Sequence, residues 1–252
     1  MIKVIPPAEY LAADQPLRGQ NARSYFIRLG LRRPDTYQAV YGDYGPEGAL
    51  RGLLCLRRSG TVQFVALGEP DVEALKGLLE TFSWTQLIAP ESSGIHLERA
   101  GAFSTTELRA CIARLESLRP GHREETAPMT PADLTEVVGL YDRVFDQHMS
   151  LGQMQEKLAA ARGRGVVIRR GGRIVSMAQT ELEEDDSALV VGVATDPAFQ
   201  RHGLAEGCVR SLCETLLTEG RIPWLQYDNP DAGKLYTRLG FVPADRILFG
   251  WK

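Results

Sequence analysis

The chain has 252 residues, 44% of them apolar and 24% charged, and a formal net charge of −3. That length exceeds what one hydrophobic core usually serves, so two domains are expected, and the mild acidity argues against a nucleic-acid scaffold. No apolar run approaches the ~20 residues that span a bilayer, and the first residues lack the apolar core of a signal peptide, so a cytoplasmic protein is expected.

Residues 1–20 read as irregular chain, with prolines at 6, 7 and 16. A helix is expected over 21–31, then strands over 36–43, 49–58 and 61–67, with Ser59-Gly60 as a hairpin turn. Asp71, as cap or first-turn acid, opens a helix over 71–82 whose apolar stripe is Val72, Leu75, Leu78 and Leu79. A strand over 86–89, a short helix over 95–99 and a strand over 103–115 complete the first half. Residues 116–131, rich in proline, glycine and charge, read as a linker. Thr130 then caps a helix that carries Pro131 at its first position and runs to about Phe145. A second helix is expected over 151–162, and a hairpin over 166–169 and 173–182.

Residues 188–195 are apolar and rich in β-branched side chains, and Asp196-Pro197 ends them, as for a buried strand. Gln200-Arg201-His202-Gly203-Leu204-Ala205 then turns into a helix. Leu204, Cys208, Leu212 and Leu216 share its inner face, and Gly220 stops it. Such a junction aims unpaired N–H groups at one spot, at the positive end of the helix dipole, which suits a phosphate. Gly203 and the small Ala205 let a ligand approach the main chain. Arg201 and His202 add charge or donors at the rim, unless Arg201 is an ordinary surface charge. No Gly-Lys-Ser/Thr follows, and only one glycine of the dinucleotide fingerprint is present, so both of those readings fail. After this helix come a strand over 224–227, a helix over 230–239 and a strand over 241–251.

The pattern that remains is Gln/Arg-x-x-Gly-x-Gly/Ala behind Val193-Ala194-Thr195-Asp196-Pro197. It resembles the acyl-CoA loop of the GNAT N-acetyltransferases. The resemblance implies a GNAT-like mixed α/β sheet with element order ααβββαβαβ in the C-terminal half, and acetyl-CoA as co-substrate. It places the pantetheine arm along Val193, Ala194 and Thr195, with a backbone N–H polarising the thioester carbonyl. The diphosphate falls on Gln200, Arg201, His202, Gly203, Leu204 and Ala205. A second stretch, from Asn229 through Ala232, Leu235 and Tyr236 to Gly240-Phe241, matches the family's motif Asn-x-x-Ala-x-x-Leu-Tyr-x-x-x-Gly-Phe. It implies that Asn229 caps its helix or bonds the arm, and that Tyr236 protonates the departing thiolate. A phenol with pKa ~10 stays protonated at pH 7, as such a donor must. Tyr236 packing on the sheet is the alternative.

The base is less clear. An alkyl ammonium with pKa ~10.4 costs roughly 4.6 kcal/mol to deprotonate at pH 7. The resemblance places a glutamate near Ala188-Leu189, where this chain has none. Glu181, Glu183 and Glu184 lie slightly earlier. Alternation puts Glu181 and Glu183 on one face, and Glu181 is the first choice, unless these acids only form a solvated hairpin tip. A water relay, or an acceptor with a low-pKa amine such as an α-amine (~7.7–8.0), would need no strong base.

The two halves look related. Val65-Ala66-Leu67-Gly68-Glu69-Pro70 echoes Val193-Ala194-Thr195-Asp196-Pro197, and Arg99-Ala100-Gly101 echoes Arg238-Leu239-Gly240. The second half is longer between these marks, and the added residues bracket the phosphate loop. The first half has Leu97 where the second has Tyr236. It reads as a degenerate GNAT-like copy that cannot hold CoA, or as chance likeness of two βα segments. The expected organisation is therefore a degenerate domain over 1–120, a linker over 121–130 and an acetyltransferase domain over 131–252. The four cysteines lack ligand spacing and the four histidines are scattered, so no metal is expected. The expected reaction moves an acyl group from acetyl-CoA to a primary amine, of a small molecule or a peptide, by direct attack in a ternary complex. A catalytically silent acyl-CoA-binding sensor is the alternative. No nucleic-acid or membrane partner is expected; the acceptor and the oligomeric state stay open.

Overall fold

The computed structural model describes residues 1–19, 21–160 and 163–252. The first part of the chain forms β1 (Ile2–Val4), α1 (Tyr10–Asp14), α2 (Asn21–Leu31), β2 (Tyr37–Tyr44), β3 (Leu50–Arg57), β4 (Thr61–Ala66), α3 (Val72–Glu80), β5 (Gln86–Pro90), α4 (Glu91–Arg99) and β6 (Thr105–Leu115). The second forms β7 (Ala127–Pro128), α5 (Leu134–Tyr141), α6 (Leu151–Ala159), β8 (Gly165–Arg170), β9 (Arg173–Glu181), β10 (Ser187–Thr195), α7 (Leu204–Thr218), β11 (Ile222–Tyr227), α8 (Pro230–Leu239) and β12 (Phe241–Trp251). From α5 onward this is the expected order ααβββαβαβ. The same order runs from α1 to β6, so the two halves repeat one plan. The expected end of α6 at 161–162 lies outside the described residues.

Two units result: Met1–Ile112 with Pro243–Lys252, and Ala113–Val242. The division differs from one at 1–120 and 131–252, because β12 passes into the first unit. There Ile247 lies opposite Pro90 and Gly250 opposite Leu87 of β5, antiparallel. Two glycines make room for it. Gly94 of α4 accepts Leu248, whose Cδ2 would lie 3.1 Å from a Cβ there, and Gly250 lies under the Phe103 ring, 2.9 Å from such an atom. Leu248 completes the core formed by Leu54, Phe64, Leu75, Leu87 and Leu97. Docking of Gly94 also explains why α4 begins at Glu91 rather than near 95.

In the first unit the strands run β1-β2-β3-β4-β5-β12. β1 and α1 occupy residues expected to be irregular. Their apolar residues are too few to show a period, but Ile5, Tyr10, Ala13 and Leu17 are buried against Ile27, Leu31 and Val40. Beneath them Asp14 accepts from Arg28 Nε at 2.8 Å and Arg32 Nη2 at 3.0 Å. Burial alone would raise the Asp14 pKa, but Arg28 and then Arg32 outweigh it and hold it below the ordinary carboxylate value. A depressed folded pKa adds stability that is present above the unfolded value and lost as pH falls through the folded one. The expected result is a fall in stability below about pH 4, less steep in Asp14→Asn, measured by urea denaturation across pH. Identical slopes would show that the pair contributes nothing to acid sensitivity.

In the second unit the strands run β11-β10-β9-β8-β7. α5 is shorter than expected because a 3-10 turn over Pro131–Asp133 precedes it, with the Asp133 carboxylate accepting from the Thr130 N–H at 2.7 Å. Val137, Leu140, Tyr141 and Met154 of α5 and α6 pack on Val167, Ile174, Met177 and Ala194 of the sheet. α7 covers the other face with Leu204, Cys208, Leu212 and Leu216, all buried.

Residues 116–131, expected to be a linker, are instead stitched along α7. The buried Arg210 donates to Arg119 O at 2.7 Å and to His122 O at 3.0 Å, and His122 N–H donates to Glu206 at 3.0 Å. Thr126 and Ser211 share a hydrogen bond of 2.8 Å. Gly207 lies against Glu124, whose Cβ would be 2.7 Å from a Cβ there. The stretch is thus held mainly through its backbone groups, and its charged side chains stay at the surface, where Arg123 pairs with Glu214 at 2.7 Å. Among the described residues, no helix is long and apolar enough to cross a membrane.

Candidate functional site

β10 lies between β9, antiparallel, and β11, parallel. Its pairing with β11 begins at Ser187 opposite Ile222 and ends at Val190 opposite Leu225. Both strands continue, β10 to Thr195 and β11 to Tyr227, so they splay apart. On the other side Val191 lies opposite Gln179, and the next matched pair is Ala194 opposite Met177. Gly192 and Val193 thus face one residue of β9, which is a β-bulge. Gly192 takes φ 58°, a value that L side chains rarely adopt.

Beyond the bulge the direction of the backbone groups is set. Asp196 N–H bonds Val175 O at 2.8 Å, on the β9 side. Alternation along a strand then turns the Thr195 N–H toward the open edge. The Thr195 carbonyl points the same way and accepts from Gln200 Nε2 at 3.2 Å. This edge leads through a 3-10 turn over Pro197–Phe199 into the loop. There Arg201 (φ 64°) and Gly203 (φ 81°) both take left-handed backbone. Gly203 is the N-cap of α7 and gives it no side-chain cap. The first intrahelical bond runs from Gly207 N–H to Gly203 O at 2.9 Å, which leaves the Leu204, Ala205 and Glu206 amides ahead of the helix ladder. Arg201 and His202 are exposed, and His202 Nδ1 lies 3.3 Å from Phe199 O.

α8 supplies the other two residues. Asn229 is its N-cap, and its Oδ1 accepts from Asp231 N–H at 2.8 Å, which leaves its NH₂ group free as a donor. Tyr236 is buried, with its ring 5.5 Å from that of Tyr227 and 5.9 Å from that of Phe241. Its hydroxyl makes no hydrogen bond to a described residue. Burial pushes its pKa up, with the neighbouring Cys213 and Tyr227 adding to the effect. At the start of α8, Lys234 Nζ donates to Asp231 Oδ1 at 2.8 Å and lowers its pKa, and Arg201 adds a weaker effect in the same direction.

Leu182 takes φ 46° and breaks the alternation between Glu181 and Glu183, although both raise the pKa of Lys157. Glu183 is bound by Arg164 at 2.7 Å and Arg221 at 3.0 Å. Burial would raise its pKa, but those guanidinium groups and Thr180 hold it low. Glu181 is 5% exposed and lies directly opposite Leu189. As direct cross-strand partners, Glu181 and Leu189 lie on the same face of the sheet. Glu181 Oε1 is 3.4 Å from Nζ of Lys157, a buried lysine whose pKa desolvation lowers, against the pull of Glu181.

Three buried residues here have no counterpart in the sequence reading. Lys157 Nζ donates to Gln179 Oε1 at 2.8 Å, Gln179 Nε2 to Tyr141 Oη at 2.6 Å, and Tyr141 Oη to Gly192 O at 2.9 Å. The isolated glycine at 192 in a β-branched strand was the signal for a bulge. Nothing in the sequence pointed to the side chains that hold it.

The first unit closes the equivalent features with its own side chains. β4 and β5 pair only from Thr61 opposite Gln86 to Gln63 opposite Ile88, but there Ser93 Oγ accepts from Ala66 N–H at 3.0 Å. At the start of α3, Asp71 Oδ1 accepts from Ala74 N–H at 3.2 Å and the buried Asp43 accepts from Asp71 N–H at 2.7 Å. Two carboxylates thus occupy the helix terminus where an anion would sit. Leu97 is fully buried.

Residues 155–246 match the family model described as GNAT acetyltransferase. No curated protein matches the chain. Among solved structures, it is similar to an acetyltransferase of the GNAT family from Colwellia psychrerythraea, at 15% identity over 100% of both chains with a TM-score of 0.74. It is also similar to a GNAT acetyltransferase from Sphaerobacter thermophilus, at 14% identity over 100% of this chain and 95% of that one, with a TM-score of 0.71. A tandem GNAT protein from the clavulanic acid biosynthesis pathway aligns at 15% identity over 99% and 97%, with a TM-score of 0.62. The fold is that of the GNAT acetyltransferases, and the segment from 155 to 246, which carries the splayed strands and the uncapped helix, matches the model of that family.

Proposed function

We propose that this chain transfers an acetyl group from acetyl-CoA to a primary amine by direct attack within a ternary complex. The observation that carries the reading is the open edge of β10 running directly into the uncapped start of α7. The edge offers N–H groups at Val193 and Thr195 to the pantetheine arm, as an added strand would use them. The amides of Gly203, Leu204 and Ala205, with Arg201, His202 and Gln200 at the rim, receive the diphosphate. The residues therefore fit acetyl-CoA in both its extended and its charged part. The free NH₂ of Asn229 is available to the arm.

In the proposed step the amine nitrogen attacks the thioester carbon, and the Val193 N–H stabilises the developing oxyanion. The C–S bond breaks, and the thiolate takes the proton of the Tyr236 hydroxyl. The acceptor ammonium gives one proton to solvent before attack, the second leaves through water to Glu181 as the amide forms, Glu181 passes it on to solvent, and solvent returns one proton to Tyr236, which closes the count. No metal is invoked. The acceptor is a small-molecule or peptide amine. The cytoplasm remains the proposed setting, and four free cysteines suit its reducing conditions.

A second reading, an acyl-CoA-binding protein without turnover, is favoured by one observation: Glu181 is already paired with Lys157. CoA release measured against a panel of amines separates the two. Turnover supports the enzyme, and binding without turnover supports the sensor. The first unit, with its helix start occupied by Asp43 and Asp71, is proposed to be a degenerate copy. One acetyl-CoA per chain is therefore expected by calorimetry, and two would overturn the degenerate-copy proposal.

A further inference from the structure

Gly192 and Val193 have no matched partner on β9, and the matched pairs of β10 with β11 stop at Val190. The bulge is held by a side chain instead: Tyr141 Oη donates to Gly192 O at 2.9 Å. Tyr141 is 2% exposed, Gln179 2% and Lys157 8%, so each polar atom in this chain needs its partner. The directions are forced by chemistry. A charged lysine only donates, so Gln179 must turn its oxygen to Lys157 and its NH₂ to Tyr141. Tyr141 oxygen then accepts from Gln179, and its single proton goes to the Gly192 carbonyl. The ring of Tyr141 is fixed by Phe145 at 5.2 Å and His148 at 5.6 Å. Gly192 has no Cβ, and one there would collide with the Tyr141 hydroxyl and lie 2.9 Å from Gln179 Nε2.

We propose that Lys157, Gln179 and Tyr141 form a one-way hydrogen-bond chain that fixes the β10 bulge and so keeps the Val193 edge shaped for an acyl carrier's arm. They are positioning residues on α6, β9 and α5, apart from the loop that meets the diphosphate. The proposal rests on the acyl-CoA reading above, and it adds a division of labour: the chain serves the arm, the α7 loop serves the nucleotide.

The test uses the full chain as wild type, Tyr141→Phe, Lys157→Met and Lys157→Arg. Val137→Ala, a core truncation on the same helix as Tyr141, controls for lost stability. Amide hydrogen exchange is followed in peptides covering 190–196 without ligand. Calorimetry then compares acetyl-CoA with adenosine 3′,5′-bisphosphate, which lacks the arm. Tyr141→Phe and Lys157→Met are expected to speed exchange at the bulge and weaken acetyl-CoA by about tenfold, the scale of one lost buried hydrogen bond. The bisphosphate is expected to bind all variants equally, and Lys157→Arg, which still donates, to stay near wild type. Unchanged exchange in Tyr141→Phe overturns the proposal. So does equal weakening of both ligands, or the same response from Val137→Ala. A wild type that binds neither ligand overturns the acyl-CoA reading itself, and the exchange comparison still decides whether the chain holds the bulge.

Discussion

Replacing Tyr236 by phenylalanine is expected to lower kcat by about 10²–10³, the usual worth of a positioned general acid, and to change acetyl-CoA affinity by less than about twofold. The Tyr236 ring is seated between Tyr227 and Phe241, and phenylalanine keeps those contacts. Gly233 helps to build this seat, since a Cβ there would lie 2.6 Å from the Tyr227 ring. The hydroxyl makes no hydrogen bond to a described residue, so its removal strands no buried partner and should cost little stability. In the proposed reaction, what is lost is the proton for the departing thiolate. Burial holds the Tyr236 pKa above its ordinary value. The hydroxyl therefore remains protonated through the range used for assays, and no fall in rate from its ionisation is expected up to about pH 9. Steady-state kinetics on the best amine of the panel checks this. Full activity in Tyr236→Phe would make the tyrosine a packing residue, and the acid would have to be sought elsewhere.

Gly192→Ala is expected to destabilise the second unit by about 3 kcal/mol and to abolish measurable acetyl-CoA binding. Two costs combine. A non-glycine residue held at φ 58° costs about 1–3 kcal/mol. The new methyl would also meet the Tyr141 hydroxyl and Gln179, both buried and already bonded, and forced overpacking of this kind costs about 1–3 kcal/mol more. Relief requires the Tyr141–Gly192 bond to break, which frees the bulge. Urea denaturation read by tryptophan fluorescence (Trp224 lies on β11) gives the stability, and calorimetry gives the binding. A variant as stable as wild type that still binds acetyl-CoA would show that the left-handed turn at 192 is not needed. For contrast, Gly171→Ala, in an exposed hairpin turn with no atom within 4 Å of a Cβ there, tests the backbone cost alone.

How much of this could be read from the sequence depends on how local the information is. The loop from Gln200 to Ala205 and the stretch from Asn229 to Phe241 are contiguous, and their glycines, caps and apolar spacing express the local geometry directly. The same holds for α7, where Leu204, Cys208, Leu212 and Leu216 are buried as their spacing implies. What the sequence could not show depends on partners far along the chain. Nothing in ILFGW tells β12 to join β5 in the first unit; that follows from the space left by Gly94 and Gly250. The charged stretch after Pro120 looks solvated until Arg210 and Glu206 are placed beside it. The proposed base shows the limit most clearly. Spacing along one strand left 188–189 without an acid, and only the β9–β10 register reveals Glu181 opposite Leu189. The buried route from Lys157 to Gly192 joins three elements and has no signature in any one of them.

On the proposed reading, the backbone between Val193 and Ala205 grips acetyl-CoA by its arm and its diphosphate. A calorimetric titration of the purified chain with acetyl-CoA tests this without any variant. Saturable binding at one site per chain is expected, matched by about 2.7 kcal/mol of added stability at a ligand concentration 100 times Kd. A titration without binding heat, together with an unchanged melting temperature at millimolar acetyl-CoA, would contradict it.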